Sequence, residues 1–155
     1  MLIANPVREF LPPSWWNRGH DYFAYGTEWN PLAASEQNAP RQIQIDADSD
    51  FLALAVTRVI TTAADNTVEL ADAPQLIRVQ DSASGANWMS GLLHIDTFAG
   101  HMSGTVGGQG VKWLEVPRLV IRSSTLTVEL SNLAATAYRV WIVFHGCKVF
   151  SRIRE

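Results

Sequence analysis

Along much of the chain, apolar side chains recur at every second position. In "TLTVELSN", Leu126, Val128 and Leu130 alternate with Thr125, Thr127 and Glu129, the period of a strand with one face on a core. Ile43 and Ile45 alternate with Gln42 and Gln44 in the same way. "FLALAVTRVITT" is apolar so densely that a helix capped by Asp50 would also fit. Its β-branched Val56, Thr57, Val59, Ile60, Thr61 and Thr62 predict a strand. "QLIRVQD" and "SGLLHIDTFAG" each predict a strand, and "LVIRSSTLTVELSN" predicts two short strands or one bent one. "YRVWIVFHGCKVF" is apolar on both faces, as a central strand covered on two sides should be. "ADNT" at 64–67 and "DSASGAN" at 81–87 carry the Asp, Asn, Ser and Gly of turns.

The first forty residues lack this regularity. Pro12, Pro13, Pro31 and Pro40 punctuate them and exclude a helix interior. Residues 1–20 are expected to form an extended N-terminal arm and 21–30 a first strand, with 21–155 making one domain. About eight antiparallel strands at this spacing, with no convincing helix, predict an all-β sandwich or barrel.

A length of 155 residues suits one domain with a real core. With 47% of residues hydrophobic and only 17% charged, there is little charge to solvate a whole surface. A partner covering part of the exterior, or a well-filled core around the six Trp, would account for it. The net charge of −3 argues against wrapping nucleic acid. The lone Cys147 lies in an apolar run, which suggests a buried, inert thiol. The N-terminus lacks a basic leader and cleavage site, and no apolar stretch has transmembrane length. A soluble protein made in a cytoplasm, without a membrane partner, is expected.

Asp46, Asp48 and Asp50 are spaced like the first ligands of a calcium loop. Such a loop needs glycine at its sixth position and a carboxylate at its twelfth, where this chain has Phe51 and Thr57. The aspartates are therefore expected to shape a turn by accepting backbone N–H bonds, and they remain the weak metal candidates of the chain. His20, His94, His101 and His145 form no closely spaced pair of the kind a metal-dependent enzyme of this fold class would use. "GTVGGQGVKW" at 104–113 lacks the ending of a phosphate loop and suggests a surface loop. Ser123 and Ser124 have no nameable base. No enzyme and no cofactor is expected.

The order of "FAY", "PLAAS", "IQIDADSDFLALAV", "LIRVQDSASGANWMSG", "VPRLVIRSSTLTVELSNL" and "RVWIVFHGCKVF" resembles a group of tailed-bacteriophage structural proteins with a jelly-roll fold. They are cement or decoration proteins of the capsid. The resemblance covers roughly residues 22–150 and is best marked by the "IDADSDF" corner, the "PR" before "SSTLTVELSN", and "FHGCKVF". It implies a jelly-roll β-sandwich that binds across junctions of the major capsid protein, as a homodimer or homotrimer. It also implies a place in the virion head, assembled in the host cytoplasm, and no direct nucleic-acid contact.

Phe10, Leu11, Trp15 and Trp16 of the arm, with Arg152 and Arg154, are the candidate contact residues. Full burial of Trp15 and Trp16 would remove roughly 200 Å² each from water, or about 5 kcal/mol apiece at most. Ordering an arm of this length costs on the order of 20–40 kcal/mol. Anchors such as Leu2, Ile3, Phe10 and Leu11 must therefore contribute, against a neighbouring subunit or against the arm's own sandwich. A rival expectation is a carbohydrate- or receptor-binding module of a phage tail or spike, with Trp88 and Trp113 beside loops. A jelly-roll enzyme with converging His residues is a second rival.

Overall fold

The computed structural model describes residues 11, 13–15, 18–65, 70, 74–101 and 110–153, with the backbone alone at Trp15, His101 and 151–153. Among the described residues, nine strands follow in order: β1 (Arg18–Leu32), β2 (Ala39–Gln44), β3 (Ser49–Thr62), β4 (Gln75–Asp81), β5 (Leu93–His94), β6 (Gly100–His101), β7 (Lys112–Val120), β8 (Thr125–Asn132) and β9 (Tyr138–Ile153). They form a β-sandwich. One sheet runs β1-β9-β3, with β7 and β6 lying one after the other along the far edge of β3. The other runs β2-β8-β4-β5. All pairings are antiparallel except the two-residue contact of β3 with β6.

The alternating pattern builds the core directly. Leu126, Val128 and Leu130 of β8 are fully buried with Ile77 and Val79 of β4. They join Trp29 of β1, Phe51, Val56 and Ile60 of β3, and Val140, Ile142 and Phe144 of β9 in one cluster between the sheets. The Trp29 indole, 1% exposed, donates to the Ala39 carbonyl at 3.0 Å, so its polar edge is satisfied inside an apolar core. "FLALAVTRVITT" is a strand, and "RVWIVFHGCKVF" is central, paired to β1 on one side and β3 on the other.

Two of the sequence expectations need correction. "SGLLHIDTFAG" contributes only the two residues of β5 before turning into the short helix α1 (Ile95–Phe98). His94 caps it through its ring and accepts from Thr97 at its carbonyl, 2.7 Å away. Such local bonds compete with a strand ladder. The chain is also not extended up to residue 20: Pro13–Trp15 is a 3-10 turn, and β1 begins at Arg18 and continues to Leu32.

Asn132 shows why separate sequence markers occur together. Fully buried, it donates from its side-chain amide to the carbonyls of Ala33 and Thr136, both at 2.8 Å, and accepts from the Ala134 amide. The "PLAAS" turn and the end of "TLTVELSN" are thus held by one side chain.

Candidate functional site

The three aspartates do not meet at one point: Asp46 and Asp48 face Lys148, and Asp50 turns to the Arg122 amide. Asp46 pairs with Lys148 of β9, which also lies 3.9 Å from Asp48. Asp48 accepts from the Ser49 hydroxyl at 2.8 Å. Asp50 is buried and accepts from the Arg122 amide at 2.9 Å, with the Arg18 guanidinium 4.0 Å away. Around them, the Ser123 amide donates to the Asp46 carbonyl and the Ile45 amide to the Ser124 carbonyl. The aspartates brace a corner shared by the turns before β3 and β8. Among the described residues, no three His, Cys, Asp or Glu side chains gather as a metal site would need.

A second set of side chains lies on the outer face of the β1-β9-β3 sheet, where β9 presents Trp141, Val143, His145 and Cys147, all half-buried. Tyr22 of β1 stands beside them and is 69% exposed. Its hydroxyl lies 2.7 Å from His145 Nδ1, and His145 Nε2 lies 2.9 Å from the Thr57 hydroxyl. A neutral imidazole donates from one nitrogen and accepts at the other, so it can link both hydroxyls. Burial lowers the His145 pKa from its ordinary 6.5, which favours that neutral form. Thr57 is 4% exposed, so this chain of bonds is closed at its inner end and serves to align side chains. Cys147 is half-buried rather than buried, and desolvation and then Asp21 push its thiol pKa upward, which disfavours the thiolate. Arg139 stacks 4.9 Å over the Trp141 ring and pairs with Glu28 at 2.7 Å.

One end of this face is covered by the N-terminal segment. Leu11, 5% exposed, packs in a cluster with Leu52 and Val149, flanked by Leu54 and Leu119. Of the other candidate contact residues, Phe10, Trp16 and Arg154 lie outside the described residues, as does the loop segment 104–109. Trp15 and Arg152 are placed by their backbones only, in the 3-10 turn and in β9.

A groove runs along the β7 edge. Between Arg118, opposite Ala53, and Trp113, opposite Ala55, β7 bulges away from β3. A cleft of about 290 Å³ opens there, lined by Trp88, Thr97, Lys112, Trp113, Glu115 and Arg118 among others. A second, of about 410 Å³, adjoins it across Trp88 and Arg118. Trp113 is 69% exposed, whereas Trp88 is anchored edge-on against the core ring of Phe144 at 5.7 Å.

Compared with models of known protein families and with curated proteins, the chain matches none. Among the described residues, no helix is long and apolar enough to cross a membrane.

The sequence singled out Trp88 and Trp113 as aromatic residues near loops, and the structure brings them to one cleft. It does not bring Asp46, Asp48 and Asp50 to a common point. The Tyr22–His145–Thr57 alignment was missed, because its members are linked only through strand register. Tyr22 lies opposite Cys147, one step from His145, and Thr57 lies opposite Val143.

Proposed function

We propose that the chain is a structural virion protein of a tailed bacteriophage, a cement or decoration protein that stabilises the head by binding across junctions of the major capsid protein. One observation carries this most directly: the central strand β9 is apolar on both faces, yet on the outer face only Val149 is enclosed, beneath Leu11. Its outer set, Trp141, Val143 and Cys147, is half-buried beside the exposed Tyr22. A half-exposed sheet face with aromatic anchors and few unpaired charges suits burial against another protein. The nested order β1-β9-β3-β7 facing β2-β8-β4-β5 is read as the route of a jelly roll, with strands crossing between two sheets. It agrees with the fold that the sequence resemblance implies. Assembly on the particle as a homodimer or homotrimer belongs to the same proposal.

The test uses a substitution on that face that leaves the core alone. Gly26 is exposed on β1, and a Cβ there would meet Val143 and the Ile142 carbonyl only at ordinary contact distance. Gly26→Lys is expected to fold with an unchanged melting temperature and to lose binding to expanded capsids that lack the protein. Normal capsid binding by the folded variant would overturn the assignment of this face. Failure of the unmodified protein to bind such capsids would overturn the function.

A further inference from the structure

We infer that the groove along the β7 edge is a binding site for a neutral saccharide, with the Trp113 indole as the stacking platform. This site is separate from the β1–β9 face and does not depend on the proposed capsid role.

Indoles are mostly buried in folded proteins, so a Trp at 69% exposure is informative. Trp113 owes its position to the bulge. Its neighbour Leu114 packs against the core, while the residues up to Pro117 depart from the β3 ladder and leave an open cleft beside the ring. The floor is seated on the core, because Trp88 packs against Phe144 and Phe98 packs on the same core ring at 6.3 Å. An aromatic wall on a core-packed floor is a largely preformed surface.

The polar lining identifies the ligand class. Glu115 and Arg118 both line the first cleft and are exposed. Among the described residues, neither side chain forms a hydrogen bond or an ion pair, with the other or with anything else. A carboxylate only accepts and a guanidinium only donates. A ligand meeting both beside a flat apolar ring must offer donors, acceptors and a C–H face together. A pyranose ring does so, since each hydroxyl both donates and accepts and the axial C–H groups form an apolar patch. An anion would be opposed by Glu115, and a cation by Arg118 and Lys112. Arg118 and Trp88 also wall the second cleft, so the groove has length for more than one sugar ring. Asp81 in that cleft is already engaged by the Ala83 amide and the Ser84 hydroxyl, which leaves Arg118 as the unengaged charged side chain of the second cleft.

The experiment is a titration of the full ¹⁵N-labelled chain with maltotriose, chitotriose, mannotriose and trigalacturonate, read at the indole N–H signals. The chain has six Trp, and Trp113→Phe and Trp113→Ala each identify the Trp113 signal by its loss. At least one neutral trisaccharide is expected to shift the Trp113 signal saturably. Trp88→Phe identifies the Trp88 signal in the same way, and Trp113→Ala should weaken that binding at least tenfold, read on the Trp88 signal, while the four indole signals outside the groove keep their positions in the free protein. Trp113→Phe should retain part of the affinity. Three results would overturn the inference: no shift with any neutral probe, affinity unchanged in Trp113→Ala, or trigalacturonate binding more tightly than every neutral probe. Loss of capsid binding in Trp113→Ala without any saccharide shift would also overturn it, and would assign the groove to a protein partner.

Discussion

Lys148 reaches from β9 to the carboxylate of Asp46 across 102 positions of sequence, and on the way its ammonium group sits 4.1 Å from the centre of the Phe23 ring. The pair joins the "IDADSDF" corner to the "FHGCKVF" strand. The Asp46 amide in turn donates to the Tyr25 hydroxyl at 3.2 Å. Three elements therefore meet around one lysine.

Lys148→Met should lower stability by about 1 kcal/mol, the sum expected of a partly exposed ion pair and a cation–π contact. Asp46→Asn should cost less, and a double-mutant cycle by urea denaturation should show the two effects to be coupled. The hydrogen bond from Lys148 holds the Asp46 carboxyl below its ordinary 3.8, and the same bond raises Lys148 above 10.5. For the lowered acid, the contribution is complete above 3.8 and is lost as pH falls through the folded value. For the raised base, it is complete below 10.5 and lost as pH rises through the folded value. The difference between wild type and Lys148→Met should thus be flat between those limits and shrink outside both.

Gly146 has no room for a side chain. A Cβ there would overlap the Leu52 carbonyl oxygen and lie 2.9 Å from its carbon and 3.1 Å from the Ala53 Cα. The cause is the bulge at Leu54, where β3 steps from Ala53 to Ala55 while β9 steps only from Gly146 to His145. Gly146→Ala should cost on the order of 3 kcal/mol, because only backbone can yield. The neighbouring Gly26→Ala, in open contact, should be nearly neutral. Thermal unfolding of the two variants checks the contrast.

Leu11 tests how far the N-terminal segment belongs to its own sandwich. Its side chain is nearly enclosed with Leu52 and Val149, so Leu11→Ala should destabilise the isolated protein by about 2 kcal/mol. An unchanged denaturation midpoint at low protein concentration would contradict that packing.

His145 should give the protein a sensitivity to mild acid. Its pKa is lowered by burial, so between 6.5 and the folded value the unfolded chain binds the proton more readily. Stability is complete above 6.5 and falls as pH drops through the folded value. His145→Asn should remove this decline, as followed by urea denaturation at pH 7 and pH 5.

The parts legible in sequence were those written in a short period. Leu126, Val128 and Leu130 announced a strand and its buried face, and the doubly apolar β9 announced a central position. α1 was hidden because four residues are too few to show a helical period beside a strand-like run. β7 was legible only in its last residues. Pro117 and the bulge interrupt its alternation, so the stretch from Lys112 onward looked like the end of a glycine-rich loop. Trp113 was visible as an aromatic beside a loop, but its pairing with Glu115 and Arg118 in one cleft follows from the bulge. Contacts such as Lys148 with Asp46 or Tyr22 with His145 depend on which strands become neighbours, and local patterns carry no trace of that.

The place of β9 also governs the order in which the sheet is assembled. β1 and β3 never touch as sheet partners; each is bonded to an opposite edge of β9. Until residues 138–153 arrive, both long strands keep unsatisfied backbone edges, and neither can template the other. The first sheet therefore cannot close until β9 docks, whereas the second needs no strand beyond β8. Such long-range closure is slow, and the waiting edges invite pairing with other chains. Yield on refolding should thus depend on protein concentration more steeply than the finished fold, with β9 seated between its neighbours, would suggest.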